Sequence, residues 1–223
     1  MHAVGLVHSS SSGESRRTNP PAGVQMSSRR RSKSMKKDRA HNFVLVVSGV
    51  SEVESWLEDA LYEAGCDDAT LAFRNRIAYL EFDRLAPTLQ DAILSAVRDV
   101  ERAEPRLGVV RVEPGDSVNA SEIARRAQVT REYVRLLVQG KRGEGDFPPP
   151  QSGITGKTLV WSWAAVVRWM FQHNLLEDAT VVDRAETIRD INEALELRAN
   201  PAAVDRRFEY LRELQERKSR ARS

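Results

Sequence analysis

The stretch Ser117–Gly140, SVNASEIARRAQVTREYVRLLVQG, decides the fold of this 223-residue chain. Its pattern predicts two short helices: one over about 121–127, capped by Asn119 or Ser121, and one between the N-cap Thr130 and Gly140. Two helices that cross at a tight angle need small or branched apolar residues at a defined spacing. The residues at that spacing are Ile123, Ala124, Ala127, Val129, Val134 and Leu137. The stretch is therefore predicted to form a helix-turn-helix.

The exposed side of the second helix carries chemistry that suits DNA. Arg131 and Arg135 lie one turn apart, with Glu132 and Gln139 nearby. A guanidinium can bond both acceptors of a guanine edge in the major groove. The pattern therefore predicts direct base readout, and the alternative is a basic-faced helix pair without a nucleic-acid partner.

Groups that reach phosphates flank these arginines. Thr130 and Tyr133 offer hydroxyls, and the helix N-terminus adds its dipole. Lys141 and Arg142 follow directly after the second helix. These side chains are predicted to position the helix on the sugar–phosphate backbone.

The continuation predicts a wing. Phe147–Pro150 reads FPPP, a polar turn with two glycines follows, and Lys157–Trp161 reads as an extended arm. Trp161 and Trp163 are predicted to anchor the wing. The helix that follows from Ser162 is predicted to point Ala165, Val166, Trp169 and Met170 inward.

Residues 117–176 resemble MerR-type winged helix-turn-helix proteins, most closely their AlpA or excisionase-like branch. In that branch a segment like IARRAQVTREYVRLLVQG leads into FPPP, a wing and a segment like WSWAAVVRW. The resemblance covers about 60 of the 223 residues, and it departs at Gln128, where the family's turn usually has Gly. It implies that Thr130, Arg131, Tyr133 and Arg135 meet DNA, and that the wing with Lys157 meets the backbone or the minor groove. The predicted DNA-binding residues are therefore Thr130, Arg131, Tyr133, Arg135, Gln139, Lys141, Arg142 and Lys157.

Residues 41–114 predict a separate ferredoxin-like βαββαβ domain, so the fold class is α+β. Its predicted strands are Phe43–Val47, Ala69–Phe73, Arg76–Phe82 and Leu107–Val112, and its helices run over Ser51–Ala64 and from near Pro87 to Ala103. This domain has a net charge of −7, which repels phosphate. Its first and fourth strands are apolar on both faces, which indicates either plain β propensity or a second face covered by another copy of the chain.

The two ends of the chain differ in character. Residues 1–40 hold nine Ser and a net charge of +7, which predicts a disordered basic tail. This tail is interpreted as a phosphate-binding arm or a solvated segment, with translation starting at Met26 or Met35 as a third interpretation. Residues 177–223 carry two apolar stripes separated by Asn200-Pro201, which predicts a helical hairpin that packs on its own domain or builds a dimer.

The sequence argues against other classes of protein. One cysteine, Cys66, excludes an internal disulfide, and the histidines at 2, 8, 41 and 173 lack metal-ligand spacing, so no metal or cofactor is expected. No apolar run approaches the roughly 18 residues of a membrane span. A phosphate-binding loop ending at Lys157-Thr158 fails because Gln151 stands where the motif needs Gly. No convincing nucleophile–base set exists, so an enzyme is the least supported class.

Together these patterns predict a homodimeric, sequence-specific double-stranded DNA-binding protein that regulates transcription. Residues 115–176, with a net charge of +3, are the predicted DNA-binding domain, and the expected location is cytoplasmic, associated with the nucleoid. The alternatives are a protein-interaction or ligand-sensing adaptor, and an antitoxin or excisionase that acts through a partner protein.

Overall fold

The structure is a computed structural model that describes residues 37–143 and 145–220. The predicted tail at 1–40 therefore lies outside the described residues except for its last four positions. Arg39 and Ala40 already belong to the first strand, so the boundary at residue 40 is wrong by two residues. The strand begins early because Arg39 pairs with Ala86 at the far end of a longer third strand than expected.

The N-terminal half is an α+β layer pair. Its strands are β1 (Arg39–Ser48), β2 (Ala69–Arg74), β3 (Ile77–Ala86) and β4 (Gly108–Glu113), and its helices are α1 (Ser55–Glu63) and α2 (Leu89–Ala103). The strands form one antiparallel sheet in the order β2-β3-β1-β4. Both helices pack on one face of the sheet, where Leu45, Leu80, Leu57 and Ile93 are fully buried.

Three predicted boundaries in this half are corrected. Helix α1 begins at Ser55 rather than Ser51, because Glu54 is extended and acts as its N-cap residue. Val53, predicted on the buried stripe, is accordingly 62% exposed. Strand β3 continues past Phe82 to Ala86, and β4 begins at Gly108 rather than Leu107.

A buried arginine ties β3 to the helical layer. The Arg84 guanidinium donates to both carboxylate oxygens of Asp68, at 2.8 and 2.9 Å, and to Asp99 at 2.7 Å. Burial alone would lower the pKa of Arg84, but its bonds to Asp68 and Asp99 raise it above the usual value. Asp68 therefore serves to hold the buried Arg84 guanidinium in place.

The free edge of β4 is closed by side chains of α2 and of a later helix, α6 (Ala179–Ala199). Asn192 accepts from the Val112 N–H at 2.7 Å and donates to the Val112 carbonyl at 2.9 Å, as a neighbouring strand would. Glu101 accepts from the Val109 N–H, and Arg198 donates to the Val109 carbonyl. The edge is thereby protected from pairing with another strand.

The second half is built from short elements: β5 (Ser117–Val118), α3 (Ala120–Arg126), α4 (Arg131–Val138), β6 (Trp161–Ser162) and α5 (Trp163–Gln172). The predicted inward residues of the three helices share one core, in which Ile123, Val134, Leu137, Val166 and Trp169 are buried. Ala165 is only half-buried. The pairing of β5 with β6, which brackets the helix pair, was not predicted.

The predicted wing is looser than a strand pair. Lys157–Val160 does not form a strand; its arm meets the other arm only through an isolated bridge between Ser152 and Val160. The three prolines at 148–150 lack the N–H that a longer ladder needs. Trp161 anchors the arms as expected, since its indole Nε1 donates to the Pro148 carbonyl at 3.1 Å.

Helix α6 joins the two halves. Its Ile188, Ile191 and Leu195 enter the core of the sheet, and Ala185 packs with Ala164 of α5. Of the two hypotheses for the C-terminal stripes, packing on the chain's own core is confirmed for α6. The described residues of both halves belong to one compact unit.

The last helix, α7 (Pro201–Arg220), is different. Pro201 occupies its first position, as predicted, but α7 contributes no residue to a buried cluster of the described chain. One ion pair, Arg207 with Glu196 at 2.7 Å, joins it to α6. Two helices packed along their length, as a hairpin requires, are therefore not present. No helix in the described ranges is long and apolar enough to cross a bilayer.

Candidate nucleic-acid interface

The turn between α3 and α4 has the geometry that fixes two crossing helices. The Val129 N–H donates to the Ala124 carbonyl at 2.9 Å, and the Gln128 N–H points to the Arg125 carbonyl at 3.4 Å. This is a Schellman ending, which requires a left-handed residue at the position of Gln128. Gln128 has φ 56°, so the turn keeps the conformation that a glycine would adopt. The departure from the family's usual Gly therefore leaves the turn geometry intact.

Both ends of α4 form as the sequence predicts. The Thr130 hydroxyl oxygen accepts from the Tyr133 N–H at 3.1 Å, which caps the start of the helix. At the other end Gly140 has φ 64°, and the N–H of Lys141 donates to the Leu136 carbonyl at 2.9 Å. Val134 and Leu137 are buried, so the opposite face of α4 points to solvent. Asn119 is the cap of α3, and Ser121 is not.

The two predicted base-reading arginines differ in their surroundings. Arg131 is exposed and makes no hydrogen bond or ion pair with the described part of the chain. Arg135 is half-exposed, but it bonds both oxygens of Glu132, and its Nη1 donates to the Gln139 side chain at 3.0 Å. Arg131 is therefore available as it stands, whereas Arg135 must exchange an intrahelical partner before it contacts a base.

The electrostatics of this pair follow from the geometry. Hydrogen bonds from Arg135 lower the pKa of Glu132, and Glu132 in turn raises the pKa of Arg135. Both groups are fully ionised near neutral pH and both face solvent. Exposed pairs of this kind are screened by solvent and contribute little to stability, so a DNA base can displace the contact at little cost.

The structure adds one residue that the sequence argument missed. Val138 is 36% exposed on α4. It follows Arg131 and Arg135 at the spacing i, i+4, i+7, so the three side chains share one stripe of the helix. The sequence shows the same spacing, but the predicted DNA-binding residues are all polar side chains, so that argument does not include Val138.

The groups after α4 lie close to its first turn. Lys141 and Arg142 are exposed, and the Arg142 guanidinium lies 5.6 Å from the centre of the Tyr133 ring. This cation–π contact holds Tyr133, Arg142 and the end of α4 on one surface. Seven of the eight predicted residues therefore belong to α4, its two caps or its C-terminal extension: Thr130, Arg131, Tyr133, Arg135, Gln139, Lys141 and Arg142. Tyr133 among them also packs against the core of the helix pair.

Lys157 is the eighth predicted residue, and it belongs to the turn between the two arms of the predicted wing rather than to α4. It is exposed in the turn between the two arms, where Gly153 has φ 86° and a Cβ would collide with the Thr158 carbonyl. Within the described residues it has no hydrogen bond or ion pair that links it to α4. Its place in a shared interface stays a prediction.

Two further arginines in the helix pair have structural duties. Arg125 and Arg126 both bond Glu122, whose pKa falls to about 2 because of those two bonds. Arg126 also donates to the Gly115 carbonyl at 2.9 Å and lies over the Trp163 ring at 5.5 Å. Glu122 offsets one of these two positive charges, so α3 keeps a net charge of +1, whereas α4 and its extension through Arg142 carry +3.

Comparisons with protein-family models, curated proteins and solved structures find no match to this chain. The described residues contain no group of three or more His, Cys, Asp or Glu side chains that could hold a metal ion.

Proposed function

We propose that this protein binds double-stranded DNA sequence-specifically, as a homodimeric regulator of transcription. The observation that carries the proposal is the exposed stripe of α4, where Arg131 has no partner within the described chain while the opposite face is buried. A helix with this division of faces can enter a major groove without exposing its core. In this proposal residues 117–176 act as a winged helix-turn-helix, and the four-stranded half is ferredoxin-like.

Three side chains read bases in the proposed complex. Arg131 and Arg135 each bond the O6 and N7 acceptors of a guanine, and Val138 contacts a thymine methyl group. Thr130, Tyr133, Lys141 and Arg142 contact phosphates. Gln139 supports Arg135 through the hydrogen bond between them, or reads an adenine once Arg135 has turned to its base.

The first experiment selects bound sequences from a random duplex pool and then titrates variants on the selected site at fixed salt. Arg131→Ala and Arg135→Ala should each cost about 1–3 kcal/mol and relax specificity at one base pair. Arg98→Ala is the matched control, because Arg98 is an exposed arginine of the acidic half. Equal affinity of both α4 variants and wild type would refute the assignment.

Substitution of Glu132 should strengthen DNA binding, whereas substitution of the arginines should weaken it. Glu132→Gln removes a negative charge from the proposed interface and releases Arg135 from its bidentate contact. We expect tighter binding to random duplex DNA and a steeper dependence of the affinity on salt. Glu122→Gln is not a suitable control because it also frees Arg126. Glu58→Gln on α1 is preferable, because Glu58 is exposed and has no hydrogen bond or ion pair within the described residues. Unchanged affinity for random DNA would contradict the proposed orientation of α4.

A second candidate is a protein-interaction or ligand-sensing adaptor, in which the sheet half makes the functional contact. It is favoured by three exposed apolar side chains on the strands of the acidic half: Ile77 at 50%, Leu85 at 70% and Val110 at 48%. The dependence of DNA affinity on salt separates the two candidates, because phosphate contacts release counterions and an adaptor shows no such slope. An excisionase or antitoxin that acts through a partner protein would share the slope and differ in requiring that partner.

A further inference from the structure

Helix α7 exposes more large apolar side chains than any other element in the described ranges. Phe208 is 63% exposed, Tyr210 59%, Leu211 54% and Leu214 65%. Val204, Phe208, Leu211 and Leu214 form one stripe, in which the first three follow the spacing i, i+4, i+7, and Tyr210 lies off this stripe. A 20-residue helix without tertiary packing is only marginally stable in water. The stripe therefore needs a partner that the described residues do not provide.

We propose that α7 pairs antiparallel with α7 of a second copy and forms the dimer interface. This inference deepens the homodimer of the proposed function and does not depend on DNA binding. In the pairing, Phe208 packs against the partner's Leu211, and Leu211 packs against the partner's Phe208. The two-fold axis that relates the copies crosses the helix pair midway between these two positions.

The charges of α7 favour this partner and this direction. In the antiparallel register, the positions that flank the apolar seam place Asp205 opposite the partner's Arg212, and the two-fold axis repeats the pair. Neither Asp205 nor Arg212 makes an ion pair or a hydrogen bond with the described part of its own chain. A second copy therefore supplies the missing counter-charge for both.

A parallel pairing of the same helices is disfavoured. With Phe208 and Leu211 each facing its own equivalent, the flanking positions place Arg207 beside the partner's Arg212, and this occurs twice. Like charges at these positions are repulsive. Arg207 instead serves its own chain through the ion pair with Glu196.

The rival surface for a dimer is the outer face of the sheet, where Leu85 and Val110 are exposed. On β3 that face also carries Glu81 and Asp83, which alternate with the apolar residues. Self-pairing of the face would bring acidic side chains together in a buried patch, which costs free energy. The seam of α7 from Val204 to Leu211 lacks such charges.

The first test measures the mass of the full chain by sedimentation across a concentration series. Wild type should be a dimer, and Leu211→Glu should raise the dimer dissociation constant by about a hundredfold, because a charge then lies at the centre of the seam. Leu85→Glu should leave the dimer unchanged. Both residues are exposed, so circular dichroism should show an intact fold in each variant. A monomeric wild type, or a dimer broken by Leu85→Glu and not by Leu211→Glu, would overturn the proposal.

The second test addresses the register through charge reversal. Asp205→Arg and Arg212→Asp should each weaken the dimer about tenfold, because each replaces two attractive contacts by two repulsive ones. An equimolar mixture of the two variants should recover wild-type association as a heterodimer. Arg206→Asp, on the opposite side of α7, is the control and should have no effect. Failure of the mixture to recover would refute the antiparallel register.

These outcomes are separable from the proposed DNA binding. The Leu211→Glu chain keeps α4 intact, so it should still bind a single half-site, at an affinity that depends on salt. If wild type does not bind the half-site, the proposed function is contradicted. The mass measurements would still test the α7 dimer interface independently.

Discussion

At the scale of single residues, Gln128 shows how a turn is kept at a cost. It has φ 56°, in the left-handed region that non-glycine residues adopt only with a penalty. The Schellman bonds that join α3 to α4 depend on this conformation. The apolar contacts around Ala124 and Val134, which form where the two helices cross, offset this conformational strain.

We therefore expect Gln128→Gly to stabilise the protein. Removing the left-handed strain stabilises the folded state by roughly 1–2 kcal/mol, and the greater conformational entropy of an unfolded glycine destabilises it by about 0.5–1 kcal/mol. The free energy of unfolding should therefore rise by about 0.5–1 kcal/mol. Chemical denaturation measures the change, and Gln139→Gly, at a right-handed helix end, is the control that should destabilise. A loss of stability in the Gln128 variant would show that its side chain makes contacts that outweigh the strain.

Cys66 is a second residue whose environment determines its chemistry. Burial raises the pKa of the Cys66 thiol to about 11, and the nearby Arg84 only partly offsets that effect. The thiolate is the reactive form, so Cys66 should label about a hundredfold more slowly than the unfolded chain does at pH 8.

The same shift gives a stability prediction with a definite sign. The pKa of Cys66 in the folded protein lies above its unfolded value of 9.0. The free energy of unfolding is therefore independent of this thiol's titration below pH 9, and it falls as the pH rises from 9 towards 11. Denaturation at a series of pH values measures this, and Cys66→Ala should lose less stability over that interval. Equal losses in both proteins would mean that other groups account for all of the alkaline effect.

At the scale of secondary-structure elements, the free edge of β4 depends on one amide. Asn192 satisfies both backbone groups of Val112. Asn192→Ala should lower the free energy of unfolding by about 1–3 kcal/mol, because a partly buried donor and acceptor lose their partners. Glu193→Ala, on the exposed side of the same helix, should change it by less than about 0.5 kcal/mol. Similar losses in the two variants would show that the Asn192 bonds contribute little.

Elements with a long periodic pattern could be predicted from the sequence. Helix α2 ends at Ala103 as expected, because six of its residues form one buried stripe. The two-residue strands β5 and β6 could not be predicted, since their pairing joins positions 117–118 to 161–162 and neither segment has a pattern of its own. The length of β1 likewise depends on its distant partner β3.

The candidate site shows the same division between local and non-local information. The caps Thr130 and Asn119 and the exposed position of Arg131 follow from local sequence. The bond between Arg135 and Glu132 is a contact at i, i+3 that the sequence permits but does not require, because both side chains have many rotamers. The arms that carry Lys157 meet only through the bridge between Ser152 and Val160, a long-range pairing that the local sequence does not predict.

At the scale of the whole molecule, α6 couples two halves of opposite charge. The half with the sheet has a net charge of −7, and the segment 115–176 has +3. This asymmetry directs any polyanion towards α4 and away from the sheet.

The coupling through α6 has a measurable consequence for unfolding. Ile188 is 3% exposed in the core of the sheet, and Ala185, three residues earlier, is buried against α5. Ile188→Ala should cost about 2–4 kcal/mol through the lost transfer free energy and the cavity. If the described chain unfolds as one unit, amide hydrogen exchange should accelerate by the same factor in β1 and in α4. Val110→Ala, at a position 48% exposed on β4, should leave both rates nearly unchanged. Faster exchange in β1 alone would show that α4 keeps its own stability, and the two halves would then be independent folding units.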